Sequence, residues 1–193
     1  MSTLLNGDKG KIVTMPIEPP PKMNGAGHPP ISRANILIVD DRSDKLLAME
    51  AILEPLEQNI VKARSGKEAL RHLLANDFAV ILLDVAMPGM DGFETASMIR
   101  KRPRSEHTPI IFVTSISNSE NNIFHGYSLG AVDYVITPIT PEVLRSKVSV
   151  FVELHRKTEL IRYQAEQLRQ IEEQKHQREL AEAVDRLEAG TKR

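Results

Sequence analysis

The stretch AVILLDVAMPGMDG, residues 79–92, decides the fold of this chain. It begins as an unbroken apolar run, reaches one carboxylate at Asp84, and turns at Pro88-Gly89. A run of Val, Ile and Leu bounded by turn residues is typical of a strand buried on both faces of a parallel sheet. A charged side chain at the end of such a strand is costly to bury without a partner. The stretch therefore predicts that other residues gather around Asp84.

The sequence on either side alternates between short apolar runs and helical segments. Two of the helices open with capping signals, Ser65-Gly-Lys-Glu68 and Asp91-Gly-Phe-Glu94. Strands are predicted at 36–39, from 60, at 79–84, 109–114 and 132–136, and helices at 46–56, 66–75, 91–101, 117–130 and from 141. Strands and helices that alternate over short loops predict right-handed crossovers and a parallel sheet covered on both faces. Ligands bind such sheets at the carboxyl ends of the strands.

Composition excludes several classes of function. A length of 193 residues allows one globular domain with extensions, and a formal net charge of -1 gives no electrostatic case for DNA or an anionic membrane. The chain has no cysteine, which excludes disulfides, thiolate catalysis and Cys-ligated metals. No apolar segment reaches the roughly 18 residues of a membrane span, and no signal peptide is evident. A cytoplasmic protein is therefore expected.

The chain divides into four predicted parts. Residues 1–32 are rich in Pro and Gly and predict a flexible or polyproline-like tail, because they bury too little apolar surface to offset their ordering entropy. The α/β domain is predicted over 33–152 and a helical extension over 153–189. Residues 190–193 are expected to form a frayed end.

Polar residues follow three of the predicted strands at one edge of the sheet: Asp40 and Asp41, Asp84, and Thr114. Carboxylates a few ångströms apart repel each other by roughly 4 kcal/mol per pair at an effective dielectric constant of 20. Such a site either takes up a proton or binds a hard cation. An all-oxygen ligand set suits Mg²⁺. A metal-bridged aspartate is a competent nucleophile toward a phosphoryl donor, so Asp84 is a candidate phosphoacceptor.

Four motifs in this order and spacing, ILIVDD, VILLDVAMPGMDG, PIIFVTS and GAVDYVITP, resemble the receiver domain of two-component response regulators. The resemblance covers about Asn35 to Val152. It implies a flavodoxin-like five-stranded parallel sheet of order 2-1-3-4-5 with helices on both faces. It also implies that a histidine kinase donates a phosphoryl group to Asp84.

The resemblance further assigns roles to single residues. Mg²⁺ would be bound by Asp41, Asp84 and the backbone carbonyl of Ala86, with help from Asp40. Thr114 and Tyr134 would form the switch that responds to phosphorylation.

The chain departs from the family at the end of the fifth strand, where Thr137-Pro138 replaces the usual Lys-Pro. A threonine hydroxyl carries no charge and is too short to replace an ammonium on a four-carbon stem. We expect phosphotransfer to survive with a weaker grip on the phosphoryl group, although Lys147 or Arg145 could in principle substitute. The alternative is a degenerate receiver that acts independently of phosphorylation. A cis bond between Thr137 and Pro138 is expected from the family.

Between Pro141 and Gly190 the chain contains no other Pro or Gly, and a continuous helix of this length would extend about 70 Å. The domain is expected to bury its first three or four turns, including Val143, Leu144, Val148 and Phe151. Beyond them, apolar or small residues follow in alternating steps of four and three, which is the spacing of a coiled coil. This heptad seam consists of Leu154, Thr158, Ile161, Ala165 and Leu168. It predicts a parallel homodimer, and the alternative is a single helix that folds back or frays beyond Leu168.

Three functions compete at this point. The first is a phosphorylation switch with output through protein–protein contacts, and the second is a dimerising scaffold that needs no phosphorylation. The third, an aspartate-nucleophile phosphatase, is disfavoured because such enzymes place a second Asp where Ala86 stands. Too few residues follow 155 for a helix-turn-helix, cyclase or kinase domain, so no DNA binding is expected. The chain is either a stand-alone regulator or a fragment of a longer one.

Overall fold

The computed structural model of the protein describes residues 33–115 and 131–191. The tail predicted over 1–32 and the helix predicted over 117–130 lie outside these ranges.

The described strands form one parallel sheet with the order β2-β1-β3-β4-β5. This order confirms the flavodoxin-like topology. The strands are β1 (Asn35–Val39), β2 (Asn59–Ala63), β3 (Val80–Asp84), β4 (Ile110–Ser115) and β5 (Asp133–Thr137).

Four α-helices are described: α1 (Ser43–Leu53), α2 (Gly66–Ala75), α3 (Gly92–Arg100) and α4 (Pro141–Thr191). A short 3₁₀ helix, Glu54–Leu56, follows α1. The predicted capping signals act as expected, because the Ser65 hydroxyl accepts from the Glu68 backbone N–H and the Asp91 carboxylate from that of Glu94. Each cap fixes where its helix begins relative to the strand before it.

The core lies in two layers, one on each face of the sheet. On one face, α1 and the first turns of α4 cover alternate residues of β1, including Ile36 and Ile38. On the other face, α2 and α3 cover Leu37 and Val39. β3 is buried along its whole length, as its unbroken apolar sequence predicts. Its last residue, Asp84, therefore ends at a fixed position at the edge of the sheet.

Helix α4 buries one narrow stripe and then leaves the domain. Leu144, Val148 and Val152 are buried at a spacing of four residues. We expected Val143 to be buried with them, and this was wrong: it is 46% exposed because it lies one helical step away from the stripe. The helix runs without a break through Gly190 to Thr191. No helix in the described ranges is long and apolar enough to cross a membrane.

Candidate functional site

Three carboxylates meet at the carboxyl edge of the sheet. Asp40 follows β1 and Asp84 ends β3, and these two strands are direct neighbours. One carboxylate oxygen each from Asp40, Asp41 and Asp84 lies within 4.8 Å of the others. Asp40 and Asp84 are buried, and Asp41 is half-buried. We call these three residues the acidic cluster.

Backbone contacts orient Asp40 toward the cluster. The Asp40 backbone N–H donates to the Ala63 carbonyl oxygen at 3.1 Å, which ties the end of β1 to β2. Its Oδ1 atom accepts from the Arg42 backbone N–H at 2.9 Å. One carboxylate oxygen is therefore used locally, and Oδ2 is left for the cluster.

The loop after β3 closes tightly over the end of the strand. Gly92, the first residue of α3, donates from its backbone N–H to the Val85 carbonyl oxygen at 3.0 Å. Gly89 makes the turn with φ of +82°, a conformation that favours glycine. Ala86, whose backbone carbonyl is a predicted metal ligand, is exposed in this loop. The MPGMDG motif thus places α3 directly against the end of β3.

Burial and like charge make ionised Asp84 unfavourable in this site. The pKa of Asp84 is raised first by burial of its carboxyl group and then by the negative charge of Asp40, while Lys45 opposes the rise. Its Oδ2 atom is buried and finds no hydrogen-bond partner among the residues that the structure describes. A buried oxygen without a partner indicates that a donor or a cation belongs there.

Lys45 also belongs to this site, although no sequence motif predicted it. Its Nζ atom lies 3.1 Å from Asp40 Oδ2 and 3.3 Å from Asp84 Oδ1. Partial burial lowers the pKa of the Lys45 ammonium, but the hydrogen bond with Asp40 and the charge of Asp84 outweigh this effect and raise it overall. The feature of the sequence that could have identified Lys45 is its position in the first turn of the helix after β1, five residues beyond Asp40.

The acidic cluster fits Mg²⁺ by its own chemistry. Its donors are all carboxylate oxygens, and the buried Oδ2 atom of Asp84 has no hydrogen-bond partner in the described part of the chain. Three carboxylates against one ammonium leave an excess of two negative charges, which a divalent cation would balance. Hard oxygen ligands are those that Mg²⁺ prefers.

Comparison with known proteins identifies the family. Residues 36–149 match the response regulator receiver domain family. The chain belongs to this family.

Curated relatives of the receiver are longer proteins. A Vibrio cholerae protein described as a probable cyclic di-GMP phosphodiesterase is 39% identical over 131 residues, which cover 68% of this chain and 29% of that protein. The Staphylococcus aureus transcriptional regulatory protein SrrA is 38% identical over 114 residues, covering 58% of this chain and 46% of SrrA. The chain thus spans less than half the length of these relatives.

Solved structures agree with the receiver fold. Vibrio cholerae chemotaxis protein CheY4 superposes with a TM-score of 0.58 at 28% identity, covering 62% of this chain and 99% of CheY4. A CheY-like receiver domain protein from Methanospirillum hungatei gives a TM-score of 0.59 at 27% identity, covering 66% of this chain and 99% of that chain.

The predicted switch residues lie on the two strands beyond β3. Thr114 is half-buried, one residue past Val113, the register partner of Asp84 on β4. Tyr134, on β5, is half-buried and packs its ring against Phe112, with ring centroids 5.3 Å apart. Thr114 therefore lies on the strand beside Asp84, and Tyr134 lies one strand further from it.

Strand β5 ends at Thr137, and the Thr137–Pro138 peptide bond is cis. The two candidate substitutes for the missing lysine are engaged elsewhere. Lys147 pairs with Asp133, and Arg145 pairs with Glu142 at 3.0 Å. Neither ion pair involves the acidic cluster, so the structure does not support Lys147 or Arg145 as a substitute for the missing lysine.

The heptad seam of α4 begins beside the receiver, where Leu154 and Thr158 line one cavity with Phe78, and its apolar residues are largely exposed. Leu154, Ile161 and Leu168 are 55%, 65% and 62% exposed, and they lie seven residues apart along the helix. Charged residues beside them pair within the helix, such as Glu166 with Arg169 at 3.1 Å. The helix thus presents an apolar stripe between exposed charges.

Proposed function

We propose that this chain is a response regulator that accepts a phosphoryl group on Asp84 from a histidine kinase, with Mg²⁺ as cofactor. The observation that carries this proposal is the acidic cluster: Asp84 is buried at the end of β3, within 4.8 Å of two further carboxylates. A buried carboxylate with excess negative charge around it destabilises the fold when no cation is bound, and it is a suitable ligand for a cation.

The proposed reaction needs one nucleophile from the chain. A carboxylate oxygen of Asp84 attacks the phosphorus atom of the kinase phosphohistidine, the P–N bond breaks, and its electron pair returns to the imidazole. The product is an acyl phosphate on Asp84. Burial favours this reaction, because water is kept away from the attacking oxygen and from the product.

Asp40 and Asp41, with Asp84 and the backbone carbonyl of Ala86, would hold the metal. When bound, Mg²⁺ would supply positive charge that neutralises the negative charge on the oxygens of the incoming phosphoryl group. Asp40 is held for this role by its hydrogen bond from the Arg42 backbone N–H.

We assign the response to phosphorylation to Thr114 and Tyr134. Thr114 is half-buried on β4, the neighbour of β3, and Tyr134 is half-buried on β5, one strand further, so a new group on Asp84 changes the surroundings of Thr114 first and reaches Tyr134 through β4. The Tyr134 ring packs against Phe112 in the core. This contact defines the position of the ring before phosphorylation.

Output through protein–protein contacts is assigned to α4, as a parallel homodimer. The support is the regular seven-residue spacing of exposed Leu154, Ile161 and Leu168, which a second copy of the same helix would cover. An isolated helix of this length with so little apolar surface buried would otherwise fray.

We propose no enzymatic activity beyond phosphotransfer and self-catalysed loss of the phosphoryl group. The relative named as a probable cyclic di-GMP phosphodiesterase matches this chain over 29% of its length, whereas the family match covers residues 36–149 here. A cytoplasmic location is proposed because the phosphoryl donor is a kinase that uses ATP.

The second candidate function is a dimerising scaffold that needs no phosphorylation. Thr137 favours it, since the family's lysine is replaced by a side chain without charge. In this case α4 would pair in the same way whatever the state of Asp84.

Labelling with acetyl phosphate and Mg²⁺ separates these functions. Intact mass spectrometry of the full chain should show one added phosphoryl group, which is lost with EDTA and in Asp84→Asn. Asp77→Asn is the matched control, because Asp77 is exposed and pairs with Arg104. It should label like the wild type.

Beryllofluoride, which mimics the phosphoryl group, provides the second readout. With Mg²⁺ it should shift the backbone NMR resonances of Thr114 and Tyr134. Labelling without any such shift would support the scaffold, and no labelling would contradict the proposed phosphoacceptor.

A further inference from the structure

We infer that Lys45 of α1 replaces the missing strand-5 lysine as the cationic partner of the phosphoryl group on Asp84. This inference rests on the proposed function and concerns how this chain compensates for Thr137.

The position of Lys45 is the first support. Its ammonium bridges carboxylates from two neighbouring strands, at 3.1 Å from Asp40 Oδ2 and 3.3 Å from Asp84 Oδ1. The side chain is 31% exposed, so its stem is largely packed while its charged end reaches the cluster. An ammonium at this distance from Asp84 will meet any group attached to that carboxylate.

The donor capacity of the ammonium is the second support. A lysine ammonium carries three N–H donors. In the described part of the chain its ion-pair partners are Asp40 and Asp84, which account for two of them. When Asp84 becomes an acyl phosphate, its own negative charge moves to the phosphoryl oxygens, and Lys45 can donate to them.

Two other candidate cations are engaged in different pairs. Arg42 lies in the same loop, but its Nε atom donates to Asp44 Oδ1 at 3.2 Å. Lys147 pairs with Asp133 on β5. Among the described residues, Lys45 is the cation with ion pairs to the acidic cluster.

The space beside Thr137 is the third support. Lys45 and Thr137 line one cavity of about 390 Å³, together with Arg42, Ala48, Pro138 and Ile139. A lysine at position 137 would extend its ammonium into the cavity that Lys45 already borders, and two ammonium groups in one cavity repel each other. The short hydroxyl of Thr137 and the lysine at 45 are therefore compatible choices.

A double-mutant cycle on the full chain tests the inference. Beryllofluoride affinity is measured by calorimetry at saturating Mg²⁺ for the wild type, Lys45→Met, Thr137→Lys and the double variant. Lys45→Met keeps a similar apolar stem and removes the charge. Lys67→Met is the matched control, since Lys67 is exposed on α2.

We expect Lys45→Met to weaken beryllofluoride binding by about 10-fold or more, the loss of one charge-assisted hydrogen bond. Lys67→Met should leave it unchanged. Adding Thr137→Lys to Lys45→Met should restore most of the affinity, whereas Thr137→Lys in the wild type should add little. Rescue by a lysine from another element also shows that the Lys45→Met chain is folded.

A titration with Mg²⁺ alone is the independent readout. Lys45→Met should bind Mg²⁺ at least as tightly as the wild type, because one competing positive charge is gone. Beryllofluoride binding that is unchanged in Lys45→Met, or lost without rescue by Thr137→Lys, would overturn the inference. A wild type that binds Mg²⁺ but no beryllofluoride would instead contradict the proposed phosphoacceptor function.

Discussion

Gly92 lies so close to Asp84 that a Cβ atom at this position would fall 2.3 Å from the Asp84 carbonyl oxygen. It would also fall 2.8 Å from the Cα atom of Val85. Both neighbours are backbone atoms, which cannot rotate away as a flexible side chain can. The first residue of α3 therefore sets how closely the helix approaches the end of β3, and with it the position of the Asp84 carboxylate.

Gly92→Ala should therefore destabilise the protein and disturb the site. Overpacking of this kind costs about 1–3 kcal/mol, measured as the free energy of unfolding in urea. Acetyl phosphate labelling of Asp84 should fall as well, because the end of β3 must move.

Gly89→Ala is the comparison for this variant. Gly89 has φ of +82° and no atom within 4 Å of an added Cβ, so the substitution strains only the turn. It should cost about 1–2 kcal/mol and leave labelling near the wild-type level. Equal stability of Gly92→Ala and the wild type would show that the close contact is absent.

Asp84→Asn should stabilise the metal-free protein at neutral pH. The pKa of Asp84 is raised in the fold by burial and by Asp40, so ionisation costs stability as the pH rises from the unfolded-state pKa, about 3.9, through the native value. The stability gained by Asp84→Asn should be absent below this window and constant above it. Thermal unfolding in EDTA across the acidic pH range measures the difference.

Asp77→Asn should show the opposite sign and a smaller effect. The pKa of Asp77 is lowered first by its hydrogen bond from Arg104, so its ionised form contributes stability above pH about 3.9, and this is lost as the pH falls through the native pKa. The pair is exposed, so the effect is small. If Asp77→Asn and Asp84→Asn changed the free energy of unfolding in the same direction at neutral pH, burial and the charge of Asp40 would not be the cause of the raised Asp84 pKa.

Magnesium should stabilise the wild type against unfolding. A ligand that binds only the folded state contributes about 2.7 kcal/mol at 100 times its dissociation constant. Asp41→Asn should remove most of this gain, since it takes one carboxylate from the acidic cluster. Asp44→Asn is the control, because Asp44 is exposed and pairs with Arg42. Its thermal shift with Mg²⁺ should equal that of the wild type.

Ile161→Asp should dissociate the proposed homodimer. Burial of one such side chain contributes about 1.5–3 kcal/mol, and a symmetric dimer loses it twice, which amounts to more than about 100-fold in the dissociation constant. Gln170→Asp is the control, because nine helical steps place it opposite Ile161. Sedimentation of the full chain should give monomer for the first variant and dimer for the second. Monomeric wild type at high concentration would contradict the pairing.

Much of this protein is determined by its sequence alone. The alternation of short apolar runs with helical segments was sufficient to predict a parallel sheet, because burial on both faces of β3 and the helix starts at Ser65 and Asp91 are local properties of the chain, whereas the order of the strands followed from the family resemblance. The acidic cluster was predictable too, since parallel strands bring their carboxyl ends to one edge. The seven-residue spacing on α4 is likewise visible without a structure.

Only the tertiary structure decided which charge meets Asp84. Lys45 is 39 residues away in the sequence, and its role depends on how the first turn of α1 lies over the ends of β1 and β3. The exposed position of Val143 and the contact of Gly92 with the Asp84 backbone have the same origin. Local sequence fixes which residues form each element, whereas the packing of one element on another fixes the few ångströms over which charge and steric contact act.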